Sequence, residues 1–425
     1  MSSTKVIEVR IWNTLVGAVA PDPSLGCHAF EYDESWRRSG VELAPLMMPT
    51  TASEQIFAFP TLGPSFHGLP GLLADALPDD FGNGLIDAWM ARHGVDKSAV
   101  TALDRLAYMG KRGLGALEFR PSKSAAKESA LPLEMKSLVE TARKVMQGDF
   151  SSDTHAQAAL ANIIRVGTSA GGARAKAVIA WNPATREISS GQFDLADGFE
   201  HWLLKFDGVG KDHELGTSAD YGRIEFAYHL MATAAGIVMS PCRLLEENSR
   251  AHFMTRRFDR DANAKHHIQS LCALSHLDYR QRATHAYEQY FLAISQLQLG
   301  DDALAQAFRR MTFNVMARNC DDHTKNLGFR LKRGGRWELA PAYDMTHAHN
   351  PKGEWTSQHL MSVNGKFDDI GRADLLTVAD RFSVVHPATL LGEVKAAVEN
   401  WTAFAREAGV NQPEANRVAK DFRLA

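Results

Sequence analysis

Residues 317–326 read Ala-Arg-Asn-Cys-Asp-Asp-His-Thr-Lys-Asn, and no other stretch constrains the fold as much. A helical pattern ends just before this run. After it come two short strand-like runs joined at Arg333-Gly334-Gly335, then Pro341-Ala342-Tyr343-Asp344. Asp321 and Asn326 stand as Asp-x-x-x-x-Asn, and Asp344 lies 18 residues beyond Asn326. A helix end, a polar loop and a β-hairpin return the chain to where it started, so the three side chains converge. Asp and Asn are also ordinary turn and cap residues; the surrounding elements give the spacing its meaning.

Protein kinases use this order. One carboxylate orients and deprotonates the acceptor hydroxyl, while the Asn and the later Asp hold the metal that bridges the phosphates. On this reading Asp321 is catalytic, and Asn326 and Asp344 are the metal residues. Upstream, Phe199 to Phe206 reads as a strand carrying Lys205, and Glu225 follows on a helical stretch with Phe226, His229, Leu230 and Met231. A kinase strand lysine that contacts phosphates is held by such a glutamate; the plain alternative is a solvated outward lysine. In residues 163–180 a turn at Gly171-Gly172, with Arg174 and Lys176, offers backbone N–H groups and positive charge to phosphate. It lacks a Walker ending, and its alternative is a flexible hairpin.

The chain has 425 residues, 45% hydrophobic and 23% charged, which suits two or three packed domains. A net charge of −3 supplies no field for bulk nucleic-acid binding. Cys27, Cys242, Cys272 and Cys320 form no C-x-x-C pair, which argues against a zinc or disulfide framework. With no apolar leader and no run of about 18 apolar residues, the expectation is a cytoplasmic protein without a membrane segment.

Taken in order, Val6 to Trp12 and Leu15 to Val19 alternate like strands paired across Asn13-Thr14, and Trp36 opens an extended edge. Helical spacing runs from Leu69 to His93 and again from Leu103, before a strand returns at Gly110 to Phe119. Residues 1–122 are thus an N-terminal α+β subdomain, and Pro121 to Glu134 is a linker. Residues 136–260 form a nucleotide-binding N-lobe and residues 261–425 a largely helical C-lobe. The expected class is α+β, a two-lobed protein-kinase-like fold. Helices are expected at Tyr287 to Leu297, at Asp301 to Arg318 with Asp301-Asp302 as cap, at Ala373 to Arg381, at His386 to Glu407 and at Gln412 to Phe422.

These residues together resemble the HipA family of serine/threonine kinases, the toxin half of bacterial toxin–antitoxin pairs. The resemblance covers nearly the whole chain. It rests on Leu77-Pro78-Asp79, Gly113-Leu114-Gly115-Ala116, the run Ser169 to Lys176, Arg257-Phe258-Asp259-Arg260, Asp321 to Asn326 and Pro341 to Asp344. It implies ATP and Mg²⁺ as cofactors. Nucleotide contacts are implied at Ser169, Ala170, Gly171, Gly172, Ala173, Lys176, Lys205, Arg257, Phe258, His323 and Lys325. Glu225 supports Lys205, and Ser169 is the implied autophosphorylation site, with Thr168 beside it. The implied partners are a small helix-turn-helix antitoxin resembling HipB, operator DNA reached mainly through it, and a protein substrate such as an aminoacyl-tRNA synthetase. Two positions depart from the family pattern: Arg256 stands where an acidic residue is familiar, and Asp322 where Gly is common.

Two alternatives remain at this level. One is a catalytically weak scaffold acting as co-repressor with a DNA-binding antitoxin. The other is a metal-dependent hydrolase built on Asp321, Asp322, His323, Asp344, His347 and His349, with His347-x-His349 on one strand face.

Overall fold

The computed structural model describes residues 4–78, 80–122, 138–139, 142, 175–207, 220–247 and 250–424. The linker expected at Pro121 to Glu134 and the glycine-rich turn from Ser169 to Arg174 lie largely outside the described residues.

The first five strands are β1 (Ile7–Ile11), β2 (Thr14–Asp22), β3 (Cys27–Tyr32), β4 (Ile56–Phe57) and β5 (Leu117–Arg120), in the sheet order β4-β3-β2-β1-β5. Ile7, Val9 and Ile11 point into the core while Glu8 faces solvent, the period-two signature of a half-buried strand. The β1–β2 turn falls on Trp12-Asn13, one residue earlier than expected, and both take positive φ (49° and 65°). Trp36 belongs to a helix, Glu34–Ser39, rather than an extended edge. Asp33 caps that helix by accepting from the Ser35 N–H at 2.9 Å, and Gly40 ends it in the left-handed region at φ 69°.

A second antiparallel sheet holds β6 (Lys176–Trp181), β7 (Ile188–Ser190), β8 (Glu200–Lys205), β9 (Cys242–Glu247) and β10 (Arg250–Arg256), ordered β7-β6-β8-β10-β9. One hydrophobic cluster runs through both sheets, joining Val9 and Phe119 to Ile179, Trp202 and Met254. The N-terminal subdomain and the N-lobe therefore share a core. Their contact is reinforced by buried charge. Asp259 accepts from both Arg257 nitrogens (2.6 and 2.9 Å), from Arg260 (2.7 Å) and from the Gly115 N–H (2.7 Å), and Arg260 donates to the Gly115 carbonyl at 2.9 Å.

The C-terminal half packs helices Tyr287–Gln296, Asp301–Met316, Arg372–Arg381, Pro387–Glu399, Trp401–Glu407 and Gln412–Asp421 around a second core. The helix expected over His386 to Glu407 is two helices, broken at Asn400. Asp301 and Asp302 occupy the first turn of their helix, where their charge favours its N-terminus; Gly300 is the cap. Ala307, Phe308, Met311 and Val315 are buried as the helical spacing predicts. A three-stranded sheet, His267–Ser270, Gly328–Leu331 and Trp337–Leu339, floors the boundary between the lobes. Among the described residues no helix is long and apolar enough to cross a membrane.

Candidate active site

Lys205 ends β8 directly opposite Lys176 of β6, so the sheet delivers two buried ammonium groups side by side. The helix Tyr221–Ala234 brings Glu225, whose Oε1 accepts from Lys205 Nζ at 2.5 Å. It approaches so closely because residue 222 is glycine: a Cβ there would stand 1.9 Å from the Ala251 carbonyl oxygen. Lys205 also donates to Asp344 Oδ1. Burial alone would lower the Lys205 pKa, but Asp344 and Glu225 outweigh it and raise it above the ordinary lysine value.

The loop carrying Asp321 is built from the end of the helix Asp301–Met316. Arg318 turns the chain at φ 53°, and Asn319 Nδ2 donates to Asn314 Oδ1 (2.9 Å) and to the Asp344 carbonyl (3.4 Å). Thr324 Oγ1 donates to Leu277 O at 2.8 Å, and Asn326 Nδ2 donates to the Asp321 carbonyl at 2.8 Å. That bond leaves the Asn326 amide oxygen as the atom available to a cation. After the hairpin, Asp344 takes a left-handed φ of 52°, an uncommon conformation for a residue other than glycine. Burial would raise its pKa; Lys205 and Lys176 overcome this and hold it at about 2. Asp321 goes the other way. Its side chain is 48% exposed, yet the enclosing protein, with the charges of Asp344 and Asp322, raises its pKa against the pull of His323 and Lys176. Two nearby carboxyls with opposed shifts are suited to different tasks.

Lys176, Lys205, Glu225, Lys325, Asn326 and Asp344 line one cleft, together with Phe258, Gln269, Phe329 and Tyr343. Phe258 and Tyr343 stack with ring centres 5.7 Å apart. Tyr343 lies over Gly328, where a Cβ would come within 2.9 Å of its ring.

A family model of the HipA-like C-terminal domain matches residues 168–424, and one of the HipA N-terminal domain matches residues 7–120. The chain belongs to the HipA family. Among solved structures it is similar to a chain of the Shewanella oneidensis MR-1 toxin–antitoxin complex of HipA, HipB and operator DNA. The TM-score is 0.68 at 17% identity, over 97% of this chain and 94% of that one. At such identity the likeness speaks for the fold, which is two-lobed and kinase-like. The Helicobacter pylori proinflammatory kinase CtkA superposes with a TM-score of 0.36 at 11% identity, over 59% of this chain and 93% of that one, too loosely to support an argument. No curated protein matches the chain.

Within this HipA fold, Asp321, Asn326, Asp344, Lys205, Glu225 and Lys176 come together. Ser169, Ala170, Gly171, Gly172 and Ala173 lie outside the described residues. Arg257 lines the cleft as well, and its guanidinium, 3% exposed, is paired with Asp259. Phe258 lines it too. His323 packs tilted against Tyr279 with centroids 5.2 Å apart, and Lys325 Nζ, which lines the cleft, sits 5.2 Å from the same ring.

The hydrolase alternative fails on geometry, because His347 and His349 turn to Asp421, at 2.9 and 3.3 Å. Among the described residues no group of three or more His, Cys, Asp or Glu could hold a metal. A Mg²⁺ site does not need one. Mg²⁺ is held by one or two protein oxygens with substrate phosphates and water completing the shell, and the Asp344 carboxylate with the Asn326 amide oxygen fits that donor set.

Sequence reasoning missed three residues. Asp322, noted as a departure, is fully buried: its Oδ2 accepts from Tyr287 OH and faces His359 Nδ1, each at 2.9 Å, while Oδ1 accepts from the Leu360 N–H at 2.8 Å. It anchors the loop from behind. Tyr343, beside Asp344, forms cleft wall. Gln269 carries no local signal.

Proposed function

We propose that this HipA-family chain is an ATP- and Mg²⁺-dependent serine/threonine protein kinase that silences itself by autophosphorylation at Ser169. The observation that carries the reading is the joint engagement of Lys205 by Glu225 and Asp344, with Asn326 tied to the Asp321 backbone in the same cleft. In this reading Lys205 and Lys176 bind the phosphates of ATP. Asp344 and Asn326 hold Mg²⁺, which supplies charge neutralisation on the transferred phosphate. Asp321 accepts the hydrogen bond of the acceptor hydroxyl and takes its proton as the oxygen attacks. Its raised pKa makes the carboxylate a better proton acceptor for that role.

A phosphate on Ser169 adds about −1.5 to −2 charge at pH 7. Placed in the loop assigned to the ATP phosphates, it repels them. The Shewanella relative is complexed with HipB and operator DNA, and we assign this chain a small helix-turn-helix antitoxin as partner, with DNA reached through it. The substrate is a protein hydroxyl, for which an aminoacyl-tRNA synthetase is the first to try.

The test is labelling with γ-labelled Mg-ATP and mapping of the modified peptide. The expected result is one phosphate at Ser169, absent from Asp321→Ala. Labelling that persists in Asp321→Ala overturns the assignment.

A further inference from the structure

Residues 276–279 follow the short helix Leu271–Ser275 and lie between the N-terminal subdomain and the loop carrying Asp321. Their contacts alternate. His276 and Asp278 turn to the N-terminal subdomain. His276 Nε2 accepts from the Gly71 N–H at 3.0 Å, its ring packs edge-on against Phe59 and Phe66 with centroids 4.4 and 5.7 Å apart, and Asp278 Oδ1 accepts from the Ser65 hydroxyl. Leu277 and Tyr279 turn to the loop. The Leu277 carbonyl accepts from Thr324 Oγ1 at 2.8 Å, and Tyr279 packs against His323 and Lys325. Thr324 is fully enclosed and stands between Asp321 and Asn326 in sequence.

The contact has no slack on either side. A Cβ at Gly71 would stand 2.2 Å from the Ala273 carbonyl oxygen, and one at Gly63 would stand 1.9 Å from Asp278 Oδ2. Asp278 is 4% exposed and is also held from within the C-terminal half: its Oδ1 accepts from the Arg280 N–H at 2.9 Å, and its carbonyl faces His285 Nε2 at 2.8 Å. Burial keeps the His276 imidazole neutral, with a pKa of about 4, so Nε2 remains an acceptor near pH 7. A shift of the N-terminal subdomain is therefore passed through packed groups to the loop. Lys176 and Lys205 come from other elements, β6 and β8. Misplacing a reacting group by about 1 Å costs up to about a hundredfold in rate, so this path bears on transfer more than on nucleotide binding.

We infer that the N-terminal subdomain sets the position of the loop carrying Asp321, with His276 and Asp278 as the positioning residues that connect the two. This rests on reading the cleft as a kinase site and adds that phosphoryl transfer depends on a contact remote from the nucleotide.

The test uses the full chain and reads the initial rate of labelling at saturating Mg-ATP, Mg-ATP affinity by calorimetry and the melting temperature. Ser65→Ala and Gly71→Ala alter the contact; Val9→Ala weakens the sheet core of the same subdomain. Labelling is followed at a temperature where all variants are folded. Ser65→Ala should label about threefold and Gly71→Ala about tenfold more slowly than wild type, with Mg-ATP affinity unchanged. Val9→Ala should melt lower yet label at the wild-type rate. Asp278→Asn, which keeps an acceptor for the Ser65 hydroxyl, should label faster than Asp278→Ala. Wild-type rates in both contact variants would overturn the inference. So would an equal loss of rate in Val9→Ala, which would leave the subdomain acting through stability alone, or weakened Mg-ATP affinity at an unchanged rate, or Asp278→Asn no faster than Asp278→Ala. Each of these outcomes leaves the kinase reading standing. Absence of labelling from wild type would remove that reading and the inference together.

Discussion

The Nζ of Lys205 lies 2.5 Å from Oε1 of Glu225, with 10% and 2% of the two side chains exposed, so a sheet and a helix are joined by one enclosed ion pair. Asp344 shares the same ammonium. Removing one partner of a buried pair costs about 3–5 kcal/mol because the other charge is stranded. Lys205→Met strands two carboxylates and should lose that much stability in urea unfolding, together with all phosphate labelling. Glu225→Gln leaves Asp344 in place, so it should lose only about 1–3 kcal/mol while labelling falls at least about tenfold. If Glu225→Gln proves the more destabilising of the two, the pair is not what joins this sheet to its helix.

What could be read from the sequence was local or ordered along the chain. Asp321, Asn326 and Asp344 were legible because a loop and a hairpin fix their separation, and Lys205 and Glu225 because strand and helix follow one another. The Asp322–His359 contact was not legible: 37 residues separate them, and nothing in Asp322's neighbourhood shows that it points inward. Nor was the pairing of Arg257 with Asp259, two residues on, legible: both side chains are enclosed, 3% and 4% exposed, and burial is what commits them to each other. Gln269 looks like any polar strand residue until the cleft closes over it.

Gly222 sets the distance between the helix carrying Glu225 and the sheet. A Cβ there meets the Ala251 carbonyl oxygen at 1.9 Å and the Phe253 nitrogen at 3.2 Å, both backbone atoms that cannot swing aside. Gly222→Ala should therefore push the helix outward, lose about 1–3 kcal/mol and weaken labelling by drawing Glu225 from Lys205. Gly84, in the helix Asp80–Arg92, has nothing within 4 Å of its Cβ position, so Gly84→Ala should gain up to about 1 kcal/mol. Equal effects in thermal unfolding would refute the steric account.

Asp259 neutralises two guanidinium groups at once, with Arg257 and Arg260 3% and 6% exposed. Burial would raise its pKa, but the two arginines hold it well below the ordinary carboxylate range. Asp259→Ala leaves both cations buried without their acid and should cost about 3–5 kcal/mol. Asp259→Asn, which still accepts from the Gly115 N–H, should cost less. Guanidinium unfolding of the two variants checks the order.

His359 and Asp322 make stability depend on pH in a region where few side chains titrate. Burial would depress the imidazole, but Asp322, and behind it Cys320, raise its pKa to about 10 from 6.5. The folded protein holds this proton more tightly than the unfolded chain does. The contribution is therefore complete below about pH 6.5 and is lost as pH rises through the folded value near 10. The melting temperature of wild type should fall between pH 7 and pH 10. His359→Gln should begin lower at pH 7, show a flatter profile and approach wild type by pH 10. Because Asp322 also holds the loop carrying Asp321, Asp322→Asn should reduce labelling at pH 7 while leaving nucleotide binding near the wild-type level. Parallel melting profiles for wild type and His359→Gln would show that this imidazole does not carry the charge.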